Sequence, residues 1–138
     1  MTVADRRLQR RQVRAERGRK GRDAGRFGEV VAALLLMAKG WQILGFRLRT
    51  PQGEIDLLAR RGRVLAVVEV KRRATLELAA EAVGEAQRER LLRAAEGIVR
   101  RRPVLRHHDV RIDLIALAPG RFPRHLKSVF TKPDLARG

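Results

Sequence analysis

The chain has 138 residues, the length of one domain rather than two. Its 32 Lys and Arg against 15 Asp and Glu give a formal charge of +17, the surface of a protein that seeks polyanions. With no cysteine and three histidines, disulfide frameworks, thiolate metal sites and cysteine nucleophiles are excluded, and the longest apolar run, Val30 to Ala38, falls far short of the ~20 residues that span a bilayer, so a soluble, cytoplasmic protein without a membrane partner is expected.

Residues 1–26 hold ten Arg or Lys and three acids. Their only large apolar residues are Val3, Leu8 and Val13, too few to offset the entropy of ordering. A mobile basic arm is expected here, gripping phosphates or merely solubilising, ahead of one domain over residues 27–138. Phe27 to Lys39 is apolar nearly all round and stops at Gly40, which predicts a helix buried on most faces. Three strands are predicted next, Trp41 to Arg49, Glu54 to Arg60 and Val64 to Lys71, joined by short turns at Pro51-Gln52-Gly53 and Arg61-Gly62-Arg63. The third is continuously apolar over Val64 to Val68, as a central strand covered on both faces should be. Leu78 to Arg101 reads as one long helix ended by Pro103, and two last strands follow, Val110 to Leu117 and Leu126 to Phe130, around Pro119-Gly120. The order αβββαβ with a terminal strand predicts an α/β fold, a mixed sheet flanked by helices.

Ionisable groups on segments that should be buried carry the functional signal, because an unpaired charge is costly to desolvate. Glu69 and Lys71 lie two apart on the central strand and project from one face. Glu54 and Asp56 share a face of the preceding strand, opposite Ile55 and Leu57. Pairing those strands brings Asp56 beside Glu69 and Lys71, and two converging carboxylates repel unless a divalent cation lies between them. Oxygen donors suit Mg²⁺ or Mn²⁺, and the lysine would orient a water or offset charge on a phosphate. Glu54, next to Gly53, is the weaker ligand candidate. Glu29 opens an otherwise apolar helix, and Gln87 is the one polar member of the stripe Val83, Gln87, Leu91, Ala94, Ala95, Ile98. The plainer readings are an ion pair at a strand end for Glu69 and Lys71, a favourable helix-dipole position for Glu29 and a satisfied core amide for Gln87. Asp113 is expected to pair with an arginine, and the histidines to be uninformative.

Gly25-Arg26-Phe27-Gly28-Glu29 opening a helix, then Gly53-Glu54-Ile55-Asp56, then Val68-Glu69-Val70-Lys71-Arg72-Arg73, then a helix and Arg111-Ile112-Asp113, together resemble the YraN family of small bacterial proteins, over about Gly25 to Phe130. That family is similar to the PD-(D/E)xK nucleases, Holliday-junction resolvases among them. The resemblance implies a restriction-endonuclease-like core, with Asp56 and Glu69 holding Mg²⁺ or Mn²⁺ aided by the main-chain carbonyl of Val70. It implies Lys71 positioning the attacking water and Glu29 as a further metal or water ligand. The chain departs from the pattern at Gln87, where family members commonly carry a lysine; a glutamine brings no positive charge to a phosphate.

The leading expectation is therefore a metal-dependent endonuclease on branched or distorted DNA. Arg47, Arg49, Arg60, Arg61, Arg63, Arg72, Arg73 and, beside Gln87, Arg88 would hold the flanking backbone, contacts that position without reading bases. The alternative is a non-catalytic nucleic-acid-binding module on the same fold, serving repair, recombination or DNA uptake. An RNA-associated protein is weaker, because single-strand binders stack bases on exposed aromatics and the four Phe and one Trp are expected in the core. A two-fold substrate would favour a homodimer, although no dimer face is visible in the sequence.

Overall fold

The computed structural model describes residues 2–130, with the side chains of all but residues 10–24 and 130. A single helix, α1, runs from Val3 to Ala38, so the helix expected from Phe27 begins far earlier. Thr2 caps it: its hydroxyl accepts from the Asp5 amide at 3.2 Å while the Asp5 carboxylate accepts from the Thr2 amide at 3.0 Å, a reciprocal capping box. Between the cap and Phe27 the chain is rich in Arg and has no proline. Arginine favours helix enough to extend α1 without an apolar stripe, against the cost of Gly18, Gly21 and Gly25. The helix stops at Gly40, whose φ of 89° only glycine adopts freely, and the Trp41 amide reaches back to the Leu36 carbonyl at 3.0 Å.

The apolar end of α1 is less buried than its composition predicts. Gly28, Ala32, Ala33 and Leu36 are buried on the sheet, but Phe27, Val30, Leu34 and Met37 are each more than half exposed. A helix lying on one face of one sheet buries only a stripe, and residues at steps of three and four on its far side face water however apolar they are.

Five strands follow, β1 (Gln42–Thr50), β2 (Gly53–Arg61), β3 (Val64–Arg72), β4 (Asp109–Leu117) and β5 (Arg124–Phe130), in spatial order β1-β2-β3-β4-β5. Only the β3–β4 pair is parallel. The predicted strands are all present within two residues of their expected ends. The expected long helix is two, α2 (Leu76–Ala80) and α3 (Glu85–Arg101), with a 3-10 turn at Pro103–Leu105. Gly84 at the N-cap of α3 separates them; Thr75 caps α2 through the Leu78 amide at 3.1 Å.

The sheet is covered on both faces, as the expected mixed architecture requires. Ala32, Ala33, Leu36 and Trp41 pack on Leu57, Ala59, Ala66, Val68 and Ile115, while Leu91, Leu92, Ala94, Ala95 and Ile98 of α3 pack on Ile55, Leu58, Leu65, Val67 and Ile112. β3 thus sends alternate residues into two cores. Among the described residues no helix is long and apolar enough to cross a membrane.

Candidate functional site

β2 and β3 pair from Arg61–Val64 only as far as Leu57–Val68. Asp56 and Glu69 are the next residues of each strand, so the acids stand where the ladder ends and the strands fork. The Asp56 Oδ2 accepts from the Val70 amide at 2.9 Å, replacing the strand partner that amide would otherwise lack. The fork opens into a cleft of about 420 Å³ walled by Gly25, Gly28, Glu29, Asp56, Glu69, Val70, Lys71, Arg72, Arg73 and Leu117.

The expected alternation in β2 does not hold at Asp56. Ile55 packs on the α3 side and Leu57 on the α1 side, although residues two apart should share a face. The β1 register, Phe46–Leu57 and Leu48–Ile55, brackets Arg47 opposite Asp56, and Arg47 has a φ of 48°, a left-handed conformation that a side chain makes costly. Both strands turn at this level. Arg47 Nε donates to both oxygens of Glu29, at 2.8 and 3.1 Å. Gly28 lets that part of α1 close on the sheet, since a Cβ there would meet Leu117 at 3.0 Å and Val70 at 3.7 Å. Glu29, expected at a metal, and Arg47, expected at a DNA backbone, pair with each other where Glu29 walls the cleft. Among the described residues no group of three or more His, Cys, Asp or Glu side chains is arranged to hold a metal.

Glu69 is 3% exposed. Its Oε2 accepts from Gln87 Nε2 at 3.1 Å and lies 3.6 Å from Lys71 Nζ, while its Oε1 is buried with no hydrogen-bond partner among the described residues. Burial, and then the neighbouring Asp56 charge, push its pKa up to about 7 against the pull of Lys71 and Arg90. Burial likewise raises Asp56, opposed by the Val70 amide and Lys71. A buried carboxylate oxygen without a donor, beside a second acid, is a donor set for a hard divalent cation. Asp56 and Glu69 supply those oxygens; Glu54 is exposed.

The structure brings Glu29, Asp56, Glu69, Lys71 and Gln87 to this one place and divides the arginines. Arg72 and Arg73 line the cleft. Arg60, Arg61 and Arg63 belong to the opposite end of the β2–β3 hairpin, level with positions four to six residues from Glu69 along β3, about 13–20 Å at ~3.3 Å per residue; Arg60 bonds Gln42 at 2.6 Å, and Arg61 bonds the Lys39 carbonyl at 3.2 Å and stacks on Trp41. They do not line the cleft. Arg49 is exposed near the β1–β2 turn, and Arg88 is half-buried. Arg90, unnoticed in the sequence, caps the carbonyl of Gln52 at 3.2 Å and contributes positive potential at Glu69; one turn of helix from Gln87, its place was the available signal.

A second buried acid has another role. Asp113, fully buried, accepts from Arg111 Nε and Nη2 at 2.8 Å each, from the Ser128 amide at 3.0 Å, and pairs with His125 Nε2 at 2.7 Å. Lys39 Nζ stands 3.0 Å from His125 Nδ1. Burial alone would raise the Asp113 pKa; the bonds from His125, Arg111 and Ser128 outweigh it and hold it at about 2. The arginine partner is the expected one, whereas His125 is joined only through the β4–β5 pairing that no local pattern in the sequence announces.

The profile of a family described as "Uncharacterised protein family UPF0102" matches residues 28–117, a span that holds Glu29, Asp56, Glu69, Lys71, Gln87 and Asp113. A UPF0102 protein of Caulobacter vibrioides is 64% identical over 114 residues, covering 83% of this chain and 91% of that protein. One from Parvibaculum lavamentivorans is 50% identical over 98 residues, 71% and 74% of the two chains, and one from Maricaulis maris is 44% identical over 125 residues, 91% and 97%.

Proposed function

The chain belongs to the uncharacterised protein family UPF0102, the YraN-like family its motifs resemble, and we propose that it is a divalent-metal-dependent endonuclease acting on branched or distorted DNA. One observation carries the reading: a buried Glu69 with an undonated oxygen stands beside Asp56 at the strand fork, in a cleft that also presents Lys71, Arg72 and Arg73. Burying two acids side by side is costly unless their charge has a use. Mg²⁺ or Mn²⁺ held by Asp56 and Glu69, with the Val70 carbonyl near by, would supply an acidified water and offset the charge developing on the scissile phosphate. Lys71, anchored on Glu69, would orient that water by donating to it, and Arg72 and Arg73 would seat the phosphates on either side. Glu29 would act at one remove, by holding Arg47 opposite Asp56.

Gln87 supports a second reading, a binding module that does not cut. Its amide takes the Glu69 oxygen without bringing the charge a lysine would.

Titrating the full chain with Mn²⁺ in a calorimeter, and then offering it a four-way junction or flap, separates the two. The nuclease reading expects one Mn²⁺ site and metal-dependent strand cutting. Because Glu69 must be deprotonated to bind, affinity should be about tenfold weaker at pH 6 than at pH 8 and level off above pH 7. Salt-sensitive DNA binding with no heat from Mn²⁺ and no cutting would leave the module.

A further inference from the structure

The aromatic residues are expected in the core, but three phenylalanines lie at the surface. Phe27 is 65% exposed, Phe46 48% and Phe122 79%, whereas Trp41 is buried. Phe27 is the informative one. It lines a second cavity, of about 260 Å³, that shares Gly28, Arg72 and Leu117 with the acidic cleft. Val31, Pro119 and Pro123 complete an apolar wall, and Arg121 stands on it with Arg72. The two cavities adjoin across Gly28, Arg72 and Leu117, forming a trough with an acidic, cation-seeking end and an apolar end edged by guanidinium groups.

A large aromatic face exposed next to a polar cleft is costly to keep in water, and chains of this charge are drawn to polyanions. A nucleotide strand matches the trough end for end: phosphates for the acidic end with its bound cation and for the arginines, and a base for the apolar end. Bases inside a continuous duplex are stacked on their neighbours and have no face to offer, so the apolar end can be filled only by a base that has left its stack. Arginine at the edge suits both the phosphate and the π-face of such a base.

We infer that this cavity receives an unpaired nucleobase of the DNA strand whose phosphate lies in the acidic cleft, stacked on Phe27 and flanked by Arg72 and Arg121, so that the protein selects DNA at points where a base is unstacked. The inference takes its ligand class from the proposed nuclease reading and adds the origin of the structural selectivity. It does not depend on cutting.

The test uses the full chain with Ca²⁺ as the only divalent cation, which can fill an oxygen-donor site but activates water far less than Mg²⁺ or Mn²⁺, so that the cleft keeps its cation and the DNA stays whole. Anisotropy measures affinity for a short duplex and for the same duplex carrying an unpaired bulge with 2-aminopurine in it. The wild type should prefer the bulged DNA by about tenfold, the size of one base–aromatic stack, and should quench the 2-aminopurine. Phe27→Ala should lose the preference and the quenching while its affinity for the plain duplex stays within about twofold; Phe27→Trp should keep both. Phe27 is exposed, so neither change threatens the fold. Equal affinity of the wild type for the two DNAs, or equal weakening of both by Phe27→Ala, overturns the inference. Asp56→Asn, read in the same assay, should keep the preference. A chain that prefers the bulge yet never cuts with Mn²⁺ sinks the nuclease reading and leaves this one standing.

Discussion

Glu69→Gln should lower metal-dependent cutting by about a thousandfold, the scale of losing a principal charge-stabilising group, and should at the same time make the metal-free protein more stable. Glutamine is nearly isosteric and can still accept from Gln87, but it removes a carboxylate whose folded pKa stands near 7. The sign follows from linkage. An acid whose pKa is raised by folding binds its proton more tightly in the native state, so stability is lost as pH rises from the unfolded value near 4.5 through 7, and above that the charge is a standing cost. The glutamine has no such dependence. Urea unfolding at pH 8 in EDTA should show a gain of roughly 1–3 kcal/mol, shrinking to nothing near pH 4. This is the trade expected where a strained group is kept for chemistry. A variant that cuts like the wild type, or one that is destabilised at pH 8, would show that Glu69 is a structural acid and not a metal ligand.

The opposite outcome is expected at Asp113. Asp113→Ala should cost about 3–5 kcal/mol, because it strands the Arg111 guanidinium and His125 in the interior without their acceptor. The Asp113 carboxylate is the meeting point of β4 and β5, and through His125 and Lys39 it reaches the end of α1. Arg111 also stacks on Trp41, 5.2 Å from the ring centre, so one deletion loosens several elements. Here folding depresses the pKa, to about 2, so the stabilisation is complete above pH 4 and is lost as pH falls towards 2; it amounts to roughly 2–3 kcal/mol. Equilibrium unfolding in urea at pH 7 and pH 3 measures both. Against the 5–15 kcal/mol of a typical domain, a loss below 1 kcal/mol would mean the network contributes geometry rather than stability. Asp113 does not line the cleft, so folded Asp113→Ala protein should bind Mn²⁺ with unchanged affinity.

These two buried acids show what could and could not be read in the sequence. Asp56, Glu69 and Lys71 were legible because strand alternation and short turns are local: counting back from Arg61-Gly62-Arg63 puts Asp56 opposite Glu69 without any knowledge of the rest. Gln87 was legible as the polar break in an apolar helical stripe. What stayed hidden depends on tertiary context. The extent of α1 rests on the Thr2 cap and an Arg-rich, proline-free stretch where no packing is visible, and its exposed Phe27, Val30, Leu34 and Met37 look like core until one knows that a single sheet lies beneath. The split between α2 and α3 turns on one glycine. The change of face at Asp56 answers to a positive φ at Arg47 on the neighbouring strand, and the Arg47–Glu29 pair joins residues 18 positions apart. His125 meets Asp113 only after β5 has folded back along β4.

The end of the β2–β3 ladder gives the molecule a resident indicator. Past Leu57–Val68 the strands are stitched by the bond from the Val70 amide to the Asp56 side chain, so the exchange of that one amide proton with heavy water reports the ionisation of a carboxylate. In the native protein at neutral pH it should exchange slowly. At constant pH, Asp56→Ala should quicken it by tenfold or more while the amides of Ala66 and Val68 keep their pace, and in acid the protection of Val70 should fall relative to theirs once the general slowing of exchange with falling pH is divided out; an unchanged Val70 rate in Asp56→Ala would mean the stitch is not made in solution.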